Sequence, residues 1–221
     1  MRHRRVVWGG VQEGRSVARL RRYARILLGL SWAAGVVVAF GFALMYEATP
    51  GEPAAPPATW PHAAPFRLAS AGDTLLLFVH PHCPCSRATI GELDRLVAVS
   101  GATLHCHVFF YADPALGPGW ERTDLWNAAA RIPGVEVSAD PLAGIARSFG
   151  VRTSGQALLY APDGTLRFAG GITSGRGHAG DNAGADAIAR SVRDDLLEVT
   201  RTPTFGCPLI ESAPTKDCRP Q

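Results

Sequence analysis

Two cysteines one residue apart, in His80-Pro81-His82-Cys83-Pro84-Cys85-Ser86, are the residues of this chain with the most evident chemistry. A thiolate attacks disulfides and is a soft ligand for copper or zinc, so the pair suits thiol exchange or metal binding by Cys83, Cys85, His80 and His82. The residue before a proline is pushed away from helical angles, and proline suits the first position of a helix. Cys83 is therefore the expected N-cap of a helix starting at Pro84. Its sulfur then faces the positive end of the helix, which lowers its pKa, while Cys85 is expected to be the more enclosed thiol. The run leading in, Leu75 to Val79, holds no acid, so His80 or His82 is the nearest candidate base.

The other three cysteines read differently. Cys106 lies in Leu104-His105-Cys106-His107-Val108, where strand alternation puts it on one face with Leu104, Val108 and Phe110. That is the pattern of a core thiol, and His105 and His107 on the opposite face cannot join it in a local metal clip. Cys83 is the expected nucleophile and Cys85 its resolving thiol; Cys207 and Cys218 close the chain and bridge one another, or Cys207 folds back to resolve Cys83 where the short Cys83–Cys85 bridge is too strained. Arg176, His178, Asp181 and Asn182 stand in a glycine-rich loop that either lines a site or is plain surface, and Asp181-Asn182 fits the cap of the last helix.

The elements that must position these groups follow from periodicity. A strand is expected near 66–68, a buried strand at 74–80 and a helix over 84–99, with Ile90, Leu93, Leu96 and Val97 on one face. Further strands are expected at 103–111 and 135–137, and helices at 123–131, 142–149 and 185–200. Segments 156–161 and 165–169 flank Pro162-Asp163-Gly164, a hairpin signal. Strands alternating with helices and closing on a hairpin and helix predict an α/β domain, a central sheet covered by helices on both faces.

The N-terminal quarter is of another kind. Residues 1–46 carry eight arginines and one acid, a charge of +7, and the remaining chain carries −4. The body has no basic face for nucleic acid, so the arginines belong with the apolar run that comes directly after them. Residues 26–46 are uncharged and long enough for one transmembrane helix. Arginines on its N-terminal side place the N-terminus in the cytoplasm and the body in the periplasm or another extracytoplasmic space. The run exceeds a typical signal-peptide core, so an uncleaved single-pass inner-membrane anchor is expected. The chain then divides into a basic arm (1–25), the anchor (26–46), a Pro/Ala-rich spacer (47–65), the α/β domain (66–201) and a cysteine-containing tail (202–221). An exported domain sits where disulfides persist.

The dithiol at the junction of the first long strand and its helix, within this order of elements, resembles the thioredoxin fold. The extra strand and helix across 135–149 are similar to the insertion of membrane-anchored TlpA-like and ResA-like members. His-Pro-His-Cys-Pro-Cys-Ser-Arg-Ala and Gly-Gly-Ile-Thr-Ser-Gly-Arg-Gly-His-Ala-Gly-Asp-Asn-Ala-Gly resemble the thioredoxin-like proteins labelled RedB. The resemblance implies a thiol-disulfide oxidoreductase acting on a protein thiol or disulfide partner, without a cofactor. A metallochaperone holding copper or zinc is the alternative. This chain has Cys-x-Cys where the family has Cys-x-x-Cys, so an ungapped alignment places His82 at the nucleophile position and Cys85 at the family's second cysteine. Gly155 stands where the family has a cis-proline that helps form a peptide-binding edge.

Overall fold

The computed structural model describes residues 11–194 and 199–209. The chain falls into two compact units, residues 1–46 and 47–221. In the first, α1 (Val11–Ala48) runs without interruption. Over Val17–Ala48 its mean hydropathy reaches 2.1 with none of the apolar window buried in protein. It is long and apolar enough to cross a membrane, whose hydrocarbon core of about 30 Å needs about 20 residues.

The second unit is built on β1 (Asp73–Val79), all seven residues of which are buried. A strand covered on both faces must be apolar throughout, which is why Leu75 to Val79 show no alternation. Leu75, Leu77 and Val79 enter one core with Leu93, Phe110 and Ile188, while Leu76 and Phe78 enter the other with Phe109, Phe149 and Tyr160. The remaining strands are β2 (Leu104–Ala112), β3 (Val135–Pro141), β4 (Gln156–Tyr160) and β5 (Leu166–Gly171), in the order β3-β2-β1-β4-β5. β1, β2 and β3 are parallel, and β4 runs antiparallel to β1 and β5. The helices are α2 (Cys85–Ser100), α3 (Asp124–Ala130), α4 (Gly144–Ser148) and α5 (Ala183–Asp194). This is the thioredoxin-like arrangement, with β1 central and α2 leaving its C-terminal end.

Several boundaries differ from expectation for identifiable reasons. Residues 66–68 form no strand; Phe66 instead turns its ring onto Trp60 and Phe109. β3 runs on to Pro141 because its pairing with β2 continues as far as Ala112. α4 starts only at Gly144, after Leu142 and Ala143 take left-handed backbone angles (φ 52° and 54°). The buried Asp140 carboxylate accepts from the Ile145 and Ala146 N–H groups at 2.8 and 2.9 Å and so anchors that turn. α5 is capped by Asn182, whose Oδ1 accepts from Ala185 N at 2.8 Å. Val199 and Thr200, expected in that helix, are not helical, and 195–198 lie outside the described residues.

Residues 47–65 do not stand off as a spacer. Gly51, Ala55 and Trp60 donate backbone hydrogen bonds to Thr204, Gly150 and Gly164, and Tyr160 Oη donates to Pro57 O at 3.0 Å. Beyond Ala48 the segment has no helix of its own, and the N–H groups of Gly51, Ala55 and Trp60 find their partners in the domain. The C-terminal segment 200–209 is laced on in the same way. It follows the free edge of β5, where Ala169 N donates to Thr200 O at 3.0 Å and Gly171 N to Pro203 O at 3.3 Å, and then crosses to residues 152–154.

Candidate functional site: a three-thiol cluster

At the end of β1, Gly155 N donates to Phe78 O at 2.7 Å and His80 N donates to Ser154 Oγ at 2.8 Å. Ser86 Oγ lies 3.0 Å from Ser154 Oγ and 3.2 Å from His80 O. These bonds pin both ends of the turn that carries the thiols. Cys83 N closes onto His80 O and Ser86 N onto Cys83 O. Pro84, with helical angles (φ −58°, ψ −32°), is the capping residue, so α2 begins one residue later than expected and Cys83 precedes the cap. Gly155 adopts φ +88°, a conformation open to glycine and closed to proline, and there is no cis peptide among the described residues.

The enclosure of the two thiols is the reverse of expectation: Cys83 is 2% exposed, and Cys85 is half-buried. What covers Cys83 is Cys207, whose Sγ stands 2.9 Å from its own. The four cysteines among the described residues are unbridged. Forming a bond of about 2.0 Å between Cys83 and Cys207 requires only a small closure. The expected alternative, a bridge between Cys207 and Cys218, involves a residue outside the described ones.

Burial pushes the Cys83 thiol up. Hydrogen bonds from the Cys207 thiol and backbone, and from the Cys85 and Ser86 backbone at the start of α2, outweigh it and leave the pKa lowered. The Cys207 thiol is pushed up to about 12, first by burial and then by its hydrogen bond to Cys83 and the charge there. Cys85 is also raised, by burial and by Cys83, against the pull of the Arg176 guanidinium. Of the three thiols in the cluster, Cys83 alone is tuned toward the thiolate.

Arg176 ties the surroundings together. Its Nη1 donates to Gly206 O at 2.6 Å and its Nε to Thr49 O at 3.1 Å, and its own N–H donates to Glu47 O. His178 pairs with the Glu47 carboxylate at 3.2 Å on the surface. His82 Nε2 lies 3.2 Å from Trp120 O with its ring on the indole, and His80 stacks on Tyr111 with centroids 5.5 Å apart. His80 lines an open groove of about 540 Å³ with Tyr111, Trp120, Leu142 and Leu209, and His82 borders it through Trp120. No group of three His, Cys, Asp or Glu side chains among the described residues has metal-ligating geometry. Cys106 is a core thiol as expected, 2% exposed and pushed up to about 12 by burial.

Sequence reasoning missed Ser86, Ser154 and Trp120. Ser154 had a visible signal, being the residue before Gly155 in the segment compared with the family's proline loop.

The class this architecture defines is the thioredoxin-like α/β fold. No family model matches the sequence, and no curated protein does. Among solved structures, the chain is similar to a hypothetical protein, SMc02350, from Sinorhizobium meliloti, with a TM-score of 0.54 and 20% identity over 75% of this chain and 96% of that one. It is similar to the same degree to an uncharacterised conserved protein from Geobacillus kaustophilus, with a TM-score of 0.54 and 16% identity over 75% of this chain and 94% of that one. A shorter part superimposes on a secreted Mycobacterium tuberculosis disulfide oxidoreductase, with a TM-score of 0.39 and 15% identity over 56% of this chain and 81% of that one.

Proposed function

We propose that this protein is a membrane-anchored thiol-disulfide oxidoreductase in which Cys83 is the nucleophile and Cys207 the resolving thiol. The observation that carries the reading is the contact of 2.9 Å between a thiol whose pKa is lowered and one whose pKa is raised. The Cys83 thiolate attacks one sulfur of a substrate disulfide, and the other sulfur leaves as a thiolate. Cys83 is then neutral, which removes the charge that helped to hold the Cys207 proton. Cys207 gives up that proton and attacks the Cys83 sulfur; the bond to substrate breaks and the second substrate thiolate leaves. Two electrons have passed from the cysteine pair to the substrate; the proton given up by Cys207, with the one released to solvent when Cys83 ionised, balances the two taken up by the substrate thiolates. Run in reverse, the same pair oxidises a substrate dithiol.

Cys85, near Arg176 and half-buried, is the outer thiol of the cluster and the competing partner for Cys83. The uncharged stretch 26–46 of α1 supports anchoring, and the arginines on its N-terminal side support an N-terminus in the cytoplasm with the thiols exported. Trapping with a disulfide-bonded peptide tests the reading. Cys83→Ser is expected to abolish the mixed disulfide, and Cys207→Ser to prolong it more than Cys85→Ser does. The rate of trapping should fall with decreasing pH around an apparent pKa below the free-thiol value of about 8.5. Trapping that survives in Cys83→Ser would transfer the nucleophile to Cys85.

A further inference from the structure

We propose that residues 206–209 are a built-in occupant of the substrate site, which a polypeptide substrate must displace before Cys83 can react. This rests on the oxidoreductase reading and adds a device that the reading does not require. Ser154 N donates to Cys207 O and Leu209 N to Arg152 O, both at 2.8 Å, with an antiparallel bridge between Thr153 and Pro208. That is the bonding of an added strand, which depends on main chain and accepts any extended segment. The pairing sets Cys207 on Cys83, where a substrate sulfur would have to stand.

The fit is specific. A Cβ on Gly206 would lie 1.9 Å from Ser154 O, so only glycine allows the approach. Arg176 holds Gly206 O, and Leu209 is 4% exposed among Phe78, Phe109, Phe149 and their neighbours. Upstream the segment belongs to the fold itself: Thr204 is buried and its Oγ1 bonds Gln156 Oε1 at 2.6 Å. The removable part therefore begins after Phe205. When it swings away the strand edge and Cys83 are uncovered together. When it returns after the first step, it competes with the substrate for the edge while Cys207 attacks Cys83, so resolution and release become one event.

The test uses the reduced full chain in detergent, with Gly206→Ala and Leu209→Ser, neither of which replaces a cysteine. Cys83 alkylation, followed by mass spectrometry, is expected to be about tenfold faster or more in both variants, since Gly206→Ala adds a Cβ that collides with Ser154 O and Leu209→Ser removes a buried apolar side chain, and either change loosens the closed segment. First-step attack on a disulfide-bonded peptide should accelerate with it. Hydrogen exchange on the wild type provides a measurement free of folding defects: the Ser154 and Leu209 amides should exchange well before those of Ala169 and Gly171. Wild-type alkylation rates in both folded variants, or equally slow exchange at all four amides, would overturn the proposal and leave the oxidoreductase reading standing. Faster alkylation with no mixed disulfide in any of the proteins would remove the oxidoreductase reading and the substrate site with it.

Discussion

Four cysteines of one chain have different environments, and the differences are local. Cys106 shares a core with Leu75, Val108 and Phe110, and burial alone pushes its thiol up to about 12. Its folded-state pKa lies above the unfolded value of about 8.5, so its contribution to stability is complete below that value and is lost as pH rises toward 12. At pH 10 the loss amounts to about 2 kcal/mol, at 1.36 kcal/mol per pH unit. Urea unfolding at pH 7.5 and pH 10 should show wild type losing about that much more stability than Cys106→Ala. An equal loss in both proteins would mean that Cys106 is not the alkaline weak point. Cys83 and Cys85 could be picked out from the sequence because a proline between two thiols at a strand-helix junction is a local pattern. The choice of partner could not, because Cys207 lies 124 residues away and its position depends on a backbone approach that one glycine permits. For the same reason the relative exposure of Cys83 and Cys85 was inverted: the cover over Cys83 comes from the far end of the chain.

At the scale of elements, period and turn chemistry were sufficient for β1, α2, β2 and the β4–β5 hairpin, all within a residue or two of expectation. They were insufficient for segments whose structure is owed to distant partners. Residues 47–65 have the composition of a free linker, yet Trp60 meets Phe66, Phe149 and Tyr160 edge-on at 5.2–5.4 Å. Proline-rich chain without helix or strand period gives no hint of this, since the contacts are made by single side chains and isolated carbonyls. Trp60→Ala should cost about 2–3 kcal/mol, less than a fully buried tryptophan because this ring is partly exposed. Denaturant unfolding of the detergent-solubilised protein would measure it. A cost near zero would return the segment to the role of a spacer. The Leu142–Ala143 turn was equally hidden, because left-handed angles at two ordinary residues are imposed by Asp140 and are not encoded by glycine or asparagine.

The whole molecule joins an arginine-rich apolar helix to a thiol domain of opposite net charge. Reporter fusions after Tyr46 should be active only for a reporter that works outside the cytoplasm. Activity of a cytoplasm-only reporter at that junction would reverse the orientation and put the thiols in a reducing compartment.

The course of the C-terminal segment along β5 has a bearing on solubility that is separate from its chemistry. β5 is the last strand of the sheet, and without residues 200–203 its outward N–H groups at Ala169 and Gly171 would face solvent unpaired. An open strand edge is a template on which other chains add, and an extended, covalently attached strip that fills it prevents this without adding a true sixth strand. A protein cut after Phe205 retains the strip and should remain monodisperse. One cut after Val199 loses it and should self-associate with rising concentration in light scattering, even though its strands and helices are untouched. Equal behaviour of the two truncations would show that the edge needs no cover.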